Sequence, residues 1–296
     1  MFIPKGTPPQ KELRPANSHI THSDWAILAD YWYPIAISAD VADRPVAAKL
    51  LDIDLVLFRN ADGDAAVLLD TCPHRHVRLS AGQVIGGEIE CPFHGLRFNA
   101  SGQCSRVPAL GRQVALPSKY QVDRFPVSER YGLVWTCLGD ANKNGVPEFP
   151  SLSSDDPAEF AFSIPAIWPV SAPRQIENFV DLAHLPFIHA TTLGGEKDSM
   201  LKPGKIVQGD GCITSRTIYV ETGHDGAPRP TELTYRIVLP FAVEFRTQSI
   251  EKPDEYFESV DIPSPTSAYE CLVFQLIKSP KGKADAQQMT DFLIEV

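Results

Sequence analysis

A polar, proline-bearing stretch fills residues 1–24 and reads as an extended arm with little core of its own. At Trp25 the chain turns apolar and aromatic, in the run WAILADYWYPIAIS. Residues 47–70 predict two strands: LLDIDLVLFRN alternates, Asp62-Gly63 supplies a turn, and AAVLLD returns. Between 71 and 105 the chain is dense in turn residues, with Cys72-Pro73, Gly82, Gly86-Gly87, Cys91-Pro92, Gly95 and Ser101-Gly102. Short strands between tight turns make a small all-β module, which closes around Val134-Trp135-Thr136-Cys137. A segment rich in Pro, Asn, Ser and Asp at 139–160 marks a domain boundary. Beyond it, Ser171 and Pro173 open a helix expected to run to Leu185-Pro186. Strand-like patterns resume at Lys205 and include residues 231–250 and 269–278. The tail DAQQMTDFLIEV reads as a helix with no stop signal before Val296. The pattern predicts an α+β chain: the arm, an all-β domain at 25–145, and a domain at 146–296 with an antiparallel sheet covered by helices.

At 296 residues and 43% hydrophobic, the chain has material for two cores. No apolar run approaches the ~18 residues of a membrane span, and no apolar region of a signal peptide follows the first basic residues. A cytoplasmic protein with its six cysteines reduced is the expectation. The net charge of −10 repels phosphate backbones and anionic lipid, which argues against nucleic acid and membrane as partners.

Two of the six cysteines sit beside histidines, as Cys72-Pro-His74 and, after sixteen residues, Cys91-Pro-Phe-His94-Gly. Two thiolates and two imidazoles fit either a tetrahedral zinc site or a Rieske [2Fe–2S] cluster, with two cysteines on one iron and two histidines on the other. Zinc fingers usually group Cys with Cys and His with His. Here each loop offers one of each, which suits a cluster clasped between two loops. Cys104, Cys137, Cys212 and Cys271 lack ligand spacing and read as small core residues, and His76 reads as a surface histidine.

C-P-H-R … C-P-F-H-G resembles the Rieske signature of Rieske-type oxygenases, and the surrounding DYWYPIA, LVLFRNADGDAAVLLDTCPHR and CPFHGLRFNASGQC are similar to them as well. The resemblance implies that Cys72, His74, Cys91 and His94 hold the cluster. Many relatives carry tyrosine where this chain has Phe93, and the missing phenol implies a low-potential cluster.

A second constellation lies in QIENFVDLAHLPFIH, where Asp181-x2-His184-x4-His189 stands on the expected helix. His184 and His189 are about 140° apart on a straight helix, so chelation of one ion requires the break that Pro186 supplies. Two imidazoles and one distant carboxylate make the facial triad of non-haem Fe(II) oxygenases. Together with the upstream module, this resembles the catalytic motif of Rieske non-haem iron oxygenases, including those that hydroxylate aromatic rings or remove O-methyl groups.

The resemblance implies mononuclear Fe(II) on His184 and His189, with Asn178 near it. It implies that Asp181 connects this site to a Rieske histidine, His94, of a neighbouring subunit in a homotrimer. The third ligand in that family is a carboxylate on a C-terminal helix. Here the tail offers Asp285, Asp291 and Glu295, and its pattern resembles the region just before that ligand. The chain is therefore expected to stop short of it, with Asp291 as a substitute. No dinucleotide fingerprint is present, so electrons are expected from a separate reductase or ferredoxin. The expected activity is insertion of oxygen from O2 into an apolar aromatic or alicyclic substrate, with monooxygenation or demethylation ahead of dihydroxylation. Expected pocket walls are Phe241, Val243, Phe245, Phe274 and Leu276. The alternatives are a Rieske electron-transfer protein without a working mononuclear site and a zinc-stabilised binding module.

Overall fold

A computed structural model describes residues 13–111, 120–152, 161–189, 204–209, 211–222, 228–278 and 291. The chain forms two compact units, one from Met1–Val146 with Thr266–Ala268, the other from Pro147–Pro265 with Tyr269–Val296. The expected α+β class holds, with few helices and a dominance of antiparallel sheet.

Among the described residues the first unit contains three small sheets. Leu133–Thr136 lies between Tyr33–Ile37 and Val127–Arg130, so its earliest and latest strands are neighbours. A second sheet runs Val46–Leu50, Ile53–Arg59, Ala65–Leu69, Arg124–Phe125. The third runs Gln83–Ile85, Glu88–Glu90, Arg97–Phe98, Cys104–Arg106 and brackets the second Cys-His pair.

Residues 47–70 form parts of three strands where two were expected. Leu51 (φ 49°) and Asp52 (φ 66°) make a two-residue hairpin turn between Val46–Leu50 and Ile53–Arg59. Both central residues have positive φ, a geometry usually announced by Asn-Gly. Here tertiary contacts hold it instead. Leu51 is completely buried, its carbonyl accepts from Trp25 Nε1 at 3.0 Å, and Asp52 accepts from Ser18 Oγ at 2.6 Å. The later part of the arm is correspondingly docked: Ile20 is buried, and the Arg14 guanidinium donates to the carbonyls of Ser18 and Ile20. Residues 1–12 lie outside the described residues.

The second unit is built on one antiparallel sheet in the order Ala161–Phe162, Cys271–Lys278, Tyr256–Pro265, Ala242–Ser249, Pro228–Val238, Cys212–Thr222, Lys205–Gln208, with Ala166–Trp168 also paired to Cys271–Lys278. One face carries Tyr219, Leu233, Tyr235 and Val243 and packs against Ile176 of the helix Ala172–Phe179. The opposite face carries cross-strand ion pairs, Arg236–Glu244 at 2.6 Å and Arg246–Glu258 at 2.9 Å.

Strand alternation divides the expected pocket walls. Val243 and Phe245 belong to the helix side. Phe274 and Leu276 pair with Ile262 and Val260 and so lie on the other side, because Gln275 is the residue registered with Asp261 and, through it, with Val243. Cys137 and Cys271 are buried as expected, whereas Cys104 and Cys212 are half-buried at strand ends.

Candidate metal centres

The two Cys-His segments adopt one backbone design. The Cys72 N–H donates to the Val77 carbonyl at 2.9 Å, and the His76 N–H donates back to the Cys72 carbonyl at 2.9 Å. In the second loop Cys91 donates to Leu96 at 2.8 Å and Gly95 to Cys91 at 3.0 Å. The fifth residue of each loop is left-handed: His76 at φ 56° and Gly95 at φ 67°. His76 is thus the conformational counterpart of Gly95, a role its side chain does not announce. Gly95→Ala is expected to destabilise the unit by about 1–2 kcal/mol, since a Cβ is strained there and would stand 3.2 Å from Pro108 Cγ. His76→Gly should cost nothing or stabilise. Urea unfolding of both variants checks the pair.

These loops sort their donors by depth. Cys72 and Cys91 are buried in a core with Leu79, Ile89, Leu96 and Phe98, while His74 is partly exposed and His94 exposed. The two thiols hydrogen-bond each other, which brings Cys91 down to about 6 and pushes Cys72 up. The pair titrates as a unit, and its first proton leaves readily because the thiolate accepts from the remaining thiol. The imidazole centroids are 4.8 Å apart. Burial, then the charges of His94 and Arg75, lower the His74 pKa and favour the neutral, ligating form. Phe93 is 58% exposed and leans on His94, centroids 4.1 Å apart, rather than joining the buried cysteines.

Among the described residues no three His, Cys, Asp or Glu side chains converge on one point. A single zinc ion needs its four donors around it. Sulfur paired with sulfur and imidazole paired with imidazole fit a [2Fe–2S] cluster, with two ligands for each iron.

In the second unit the helix Ala172–Phe179 stops at its Val180 cap, short of the expected end at Leu185-Pro186. Asp181 organises the break. Its Oδ1 accepts from the Ala183 N–H at 2.8 Å, and its Oδ2 lies 3.4 Å from His184 Nδ1. A single helical turn, Leu185–Ile188, follows, with His184 as its N-cap and His189 as its C-cap. Pro186 does not break a helix here. It occupies the first turn of a new one, where its missing N–H costs nothing.

The two imidazoles therefore bracket one short turn, centroids 5.2 Å apart and rings at 67°. His184 Nδ1 is buried without a hydrogen-bond partner, and burial, then His184, lowers the His189 pKa. Two imidazoles on one short turn, one with a buried nitrogen that makes no hydrogen bond, fit a metal-ligand pair. Asn178 is exposed on the preceding helix, and its carbonyl accepts from the Asp181 N–H at 3.2 Å. Of the tail carboxylates, Asp291 is exposed; Asp285 and Glu295 lie outside the described residues.

Asp261, on the sheet face beneath this helix, escaped sequence reasoning. It is 2% exposed, accepts a hydrogen bond from Gln175, and is pushed up to about 7 by burial. Its folded pKa is raised, so the native state holds a proton that the unfolded chain releases above the ordinary carboxylate range. The associated stability is complete below pH ~4 and is lost as pH rises through ~7. Asp261→Asn is therefore expected to raise the melting temperature at pH 8 and to leave it nearly unchanged at pH 4. Thermal melts at the two pH values test the sign.

Residues 31–126 match the Rieske [2Fe-2S] domain model, and residues 168–292 match the vanillate O-demethylase oxygenase C-terminal domain. Curated relatives include methylxanthine N1-demethylase from Pseudomonas putida, 34% identical over 59% of this chain and 51% of its own length. The oxygenase component of dicamba O-demethylase from Stenotrophomonas maltophilia is 33% identical over 62% of this chain and 53% of its own length. This chain thus spans about half the length of the curated relatives it matches. Among solved structures, dicamba monooxygenase bound to 3,6-dichlorosalicylic acid superposes with TM-score 0.78 at 25% identity, over 90% of this chain and 82% of that one. The Pseudomonas putida methylxanthine demethylase with caffeine gives 0.77 at 25% identity, over 90% and 80%.

Proposed function

We propose that this chain, which joins a Rieske [2Fe–2S] domain to a vanillate O-demethylase-type oxygenase C-terminal domain, works as the terminal oxygenase of a multicomponent system. The reaction is monooxygenation or demethylation of a small organic molecule. The observation that carries this reading is the presence, on one chain, of two sorted Cys-His loops and a separate imidazole pair bracketing one helical turn. When bound, the cluster supplies single electrons and the mononuclear Fe(II) supplies O2 activation.

Cys72, Cys91, His74 and His94 hold the cluster, and His184 and His189 hold the mononuclear iron. The remaining work belongs to the protein. Asp181 Oδ2 approaches His184 Nδ1 to 3.4 Å without a hydrogen bond and biases the ring direction electrostatically, while its other oxygen locks the turn. Asn178 stands on the same approach. On the helix-facing side of the sheet, partly buried Phe245, backed by the buried Val243, supplies an apolar wall that positions substrate and excludes water. Electrons come from a separate reductase or ferredoxin. The oligomer is a homotrimer in which Asp181 faces a neighbouring Rieske histidine, and the setting is the cytoplasm. Among the described residues no helix is long and apolar enough to cross a membrane.

Iron and acid-labile sulfide on protein resupplied anaerobically with Fe(II) test the reading. Two sulfides with one iron beyond the cluster pair support it; cluster iron alone reduces the protein to an electron carrier. Sedimentation velocity tests the trimer. Asp181→Asn is expected to slow turnover about 10–100-fold with both metal contents retained, the usual scale for a group orienting a ligating imidazole. Steady-state oxidation of substrate checks it.

A further inference from the structure

Ser259 and Asp261 stand two residues apart on Tyr256–Pro265 and so share the sheet face that meets the helix Ala172–Phe179. The register sets Ser259 opposite Phe245 and Asp261 opposite Val243. Around Phe245 the rings of Tyr235, Phe179 and Phe257 lie 4.8, 6.0 and 6.4 Å away between centroids, so a polar pair adjoins an aromatic wall. Both side chains are about 2% exposed, and Ser259 Oγ and Asp261 Oδ2 have neither solvent nor a hydrogen-bond partner. The other contact of the carboxyl is with Gln175, on the helix leading to the Asp181–His189 turn. Among the described residues no Lys or Arg pairs with Asp261.

Buried oxygens without partners are costly, native proteins leave few of them, and such groups concentrate where chemistry or binding uses them. The two metal sites do not use these residues. We propose that Ser259 and Asp261 form a substrate subsite that accepts hydrogen bonds from an N–H or O–H group carried by an aromatic substrate, and that discriminates against carboxylates. The inference rests on the oxygenase reading and sharpens it by naming the substrate class. Asp261 offers an accepting oxygen whether protonated or ionised, and Ser259 can accept or relay. Above pH ~7, where Asp261 is ionised, a carboxylate brought to the same place meets a like charge, and no Lys or Arg among the described residues compensates it.

The test is calorimetric binding of three probes to the Rieske-loaded protein: 4-methoxyphenol, 4-methoxytoluene and 4-methoxybenzoate. At pH 8, where Asp261 is ionised, wild type is expected to bind the phenol about tenfold or more tighter than the benzoate, since like-charge juxtaposition costs that much or more. Asp261→Asn should shrink that ratio, and Asp261→Leu should erase the preference of phenol over toluene. Ser259→Ala should weaken phenol binding alone. The visible spectrum and melting temperature of each variant establish that it is folded. Unchanged ratios in the folded Asn variant, tightest binding of benzoate by wild type, or binding of none of the probes overturns the subsite. Oxygen consumption with the same probes separates this from the oxygenase reading. Shifted ratios without turnover leave the subsite and remove the activity, whereas turnover with unshifted ratios does the reverse.

Discussion

Alanine at His94 is expected to remove the visible absorption and both acid-labile sulfides while the chain stays folded. The choice of ligand matters. Cys72 and Cys91 belong to the core of their unit, so replacing either disturbs packing and chemistry together. His94 is exposed, and Phe93 rather than buried core covers it, so its loss removes a donor and little else. On the proposed assignment one iron would keep only the imidazole of His74, and the cluster would not be retained. The melting temperature should fall only by the stabilisation that bound cofactor confers on the native state. Visible spectroscopy and sulfide analysis read the result directly. A variant that kept both sulfides would show that the second loop does not ligate through His94. Zinc without sulfide in the wild type would instead restore the tetrahedral alternative.

The chemistry of this loop pair was legible because metal ligation demands particular residue types at short spacing. The backbone that presents them was not. Gly95 advertises its left-handed conformation, but His76 adopts the same one because the loop's hydrogen bonds require it. The Leu51-Asp52 turn was invisible for a related reason. Its support comes from Trp25 and Ser18, distant in sequence, while the local pattern continues to read as strand. In the second unit alternation identifies strands but not which face meets the helix, so Phe274 and Leu276 read alongside Val243 and Phe245, whereas the register places them on the opposite face. The D-x2-H-x4-H spacing carried a true difficulty about helix geometry. The difficulty disappears because Asp181 ends the first helix with its own carboxylate and Pro186 begins a second. Asp261 was overlooked since a lone acidic residue in a strand ordinarily points to water.

His184→Ala is the companion experiment, with the opposite signature: an unchanged Rieske spectrum, loss of the iron beyond the cluster, and turnover reduced to background. His184 and His189 are the two imidazoles of the proposed site, and no third donor joins them among the described residues. Deleting one leaves a single nitrogen from this turn, which cannot define an open coordination site. The effect should therefore far exceed the 10–100-fold loss expected for Asp181→Asn, which disturbs orientation while keeping both donors. Packing offers no rival explanation of comparable size. His184 caps a one-turn helix without a side-chain capping bond, and its Nδ1 makes no hydrogen bond that the fold would miss. Iron analysis, visible spectroscopy and O2-dependent substrate oxidation on the same preparation separate the outcomes. Normal turnover in this variant would remove His184 from the site. Lost turnover with the extra iron retained would move His184 from ligand to positioning residue and return the search for ligands to the carboxylates of the tail.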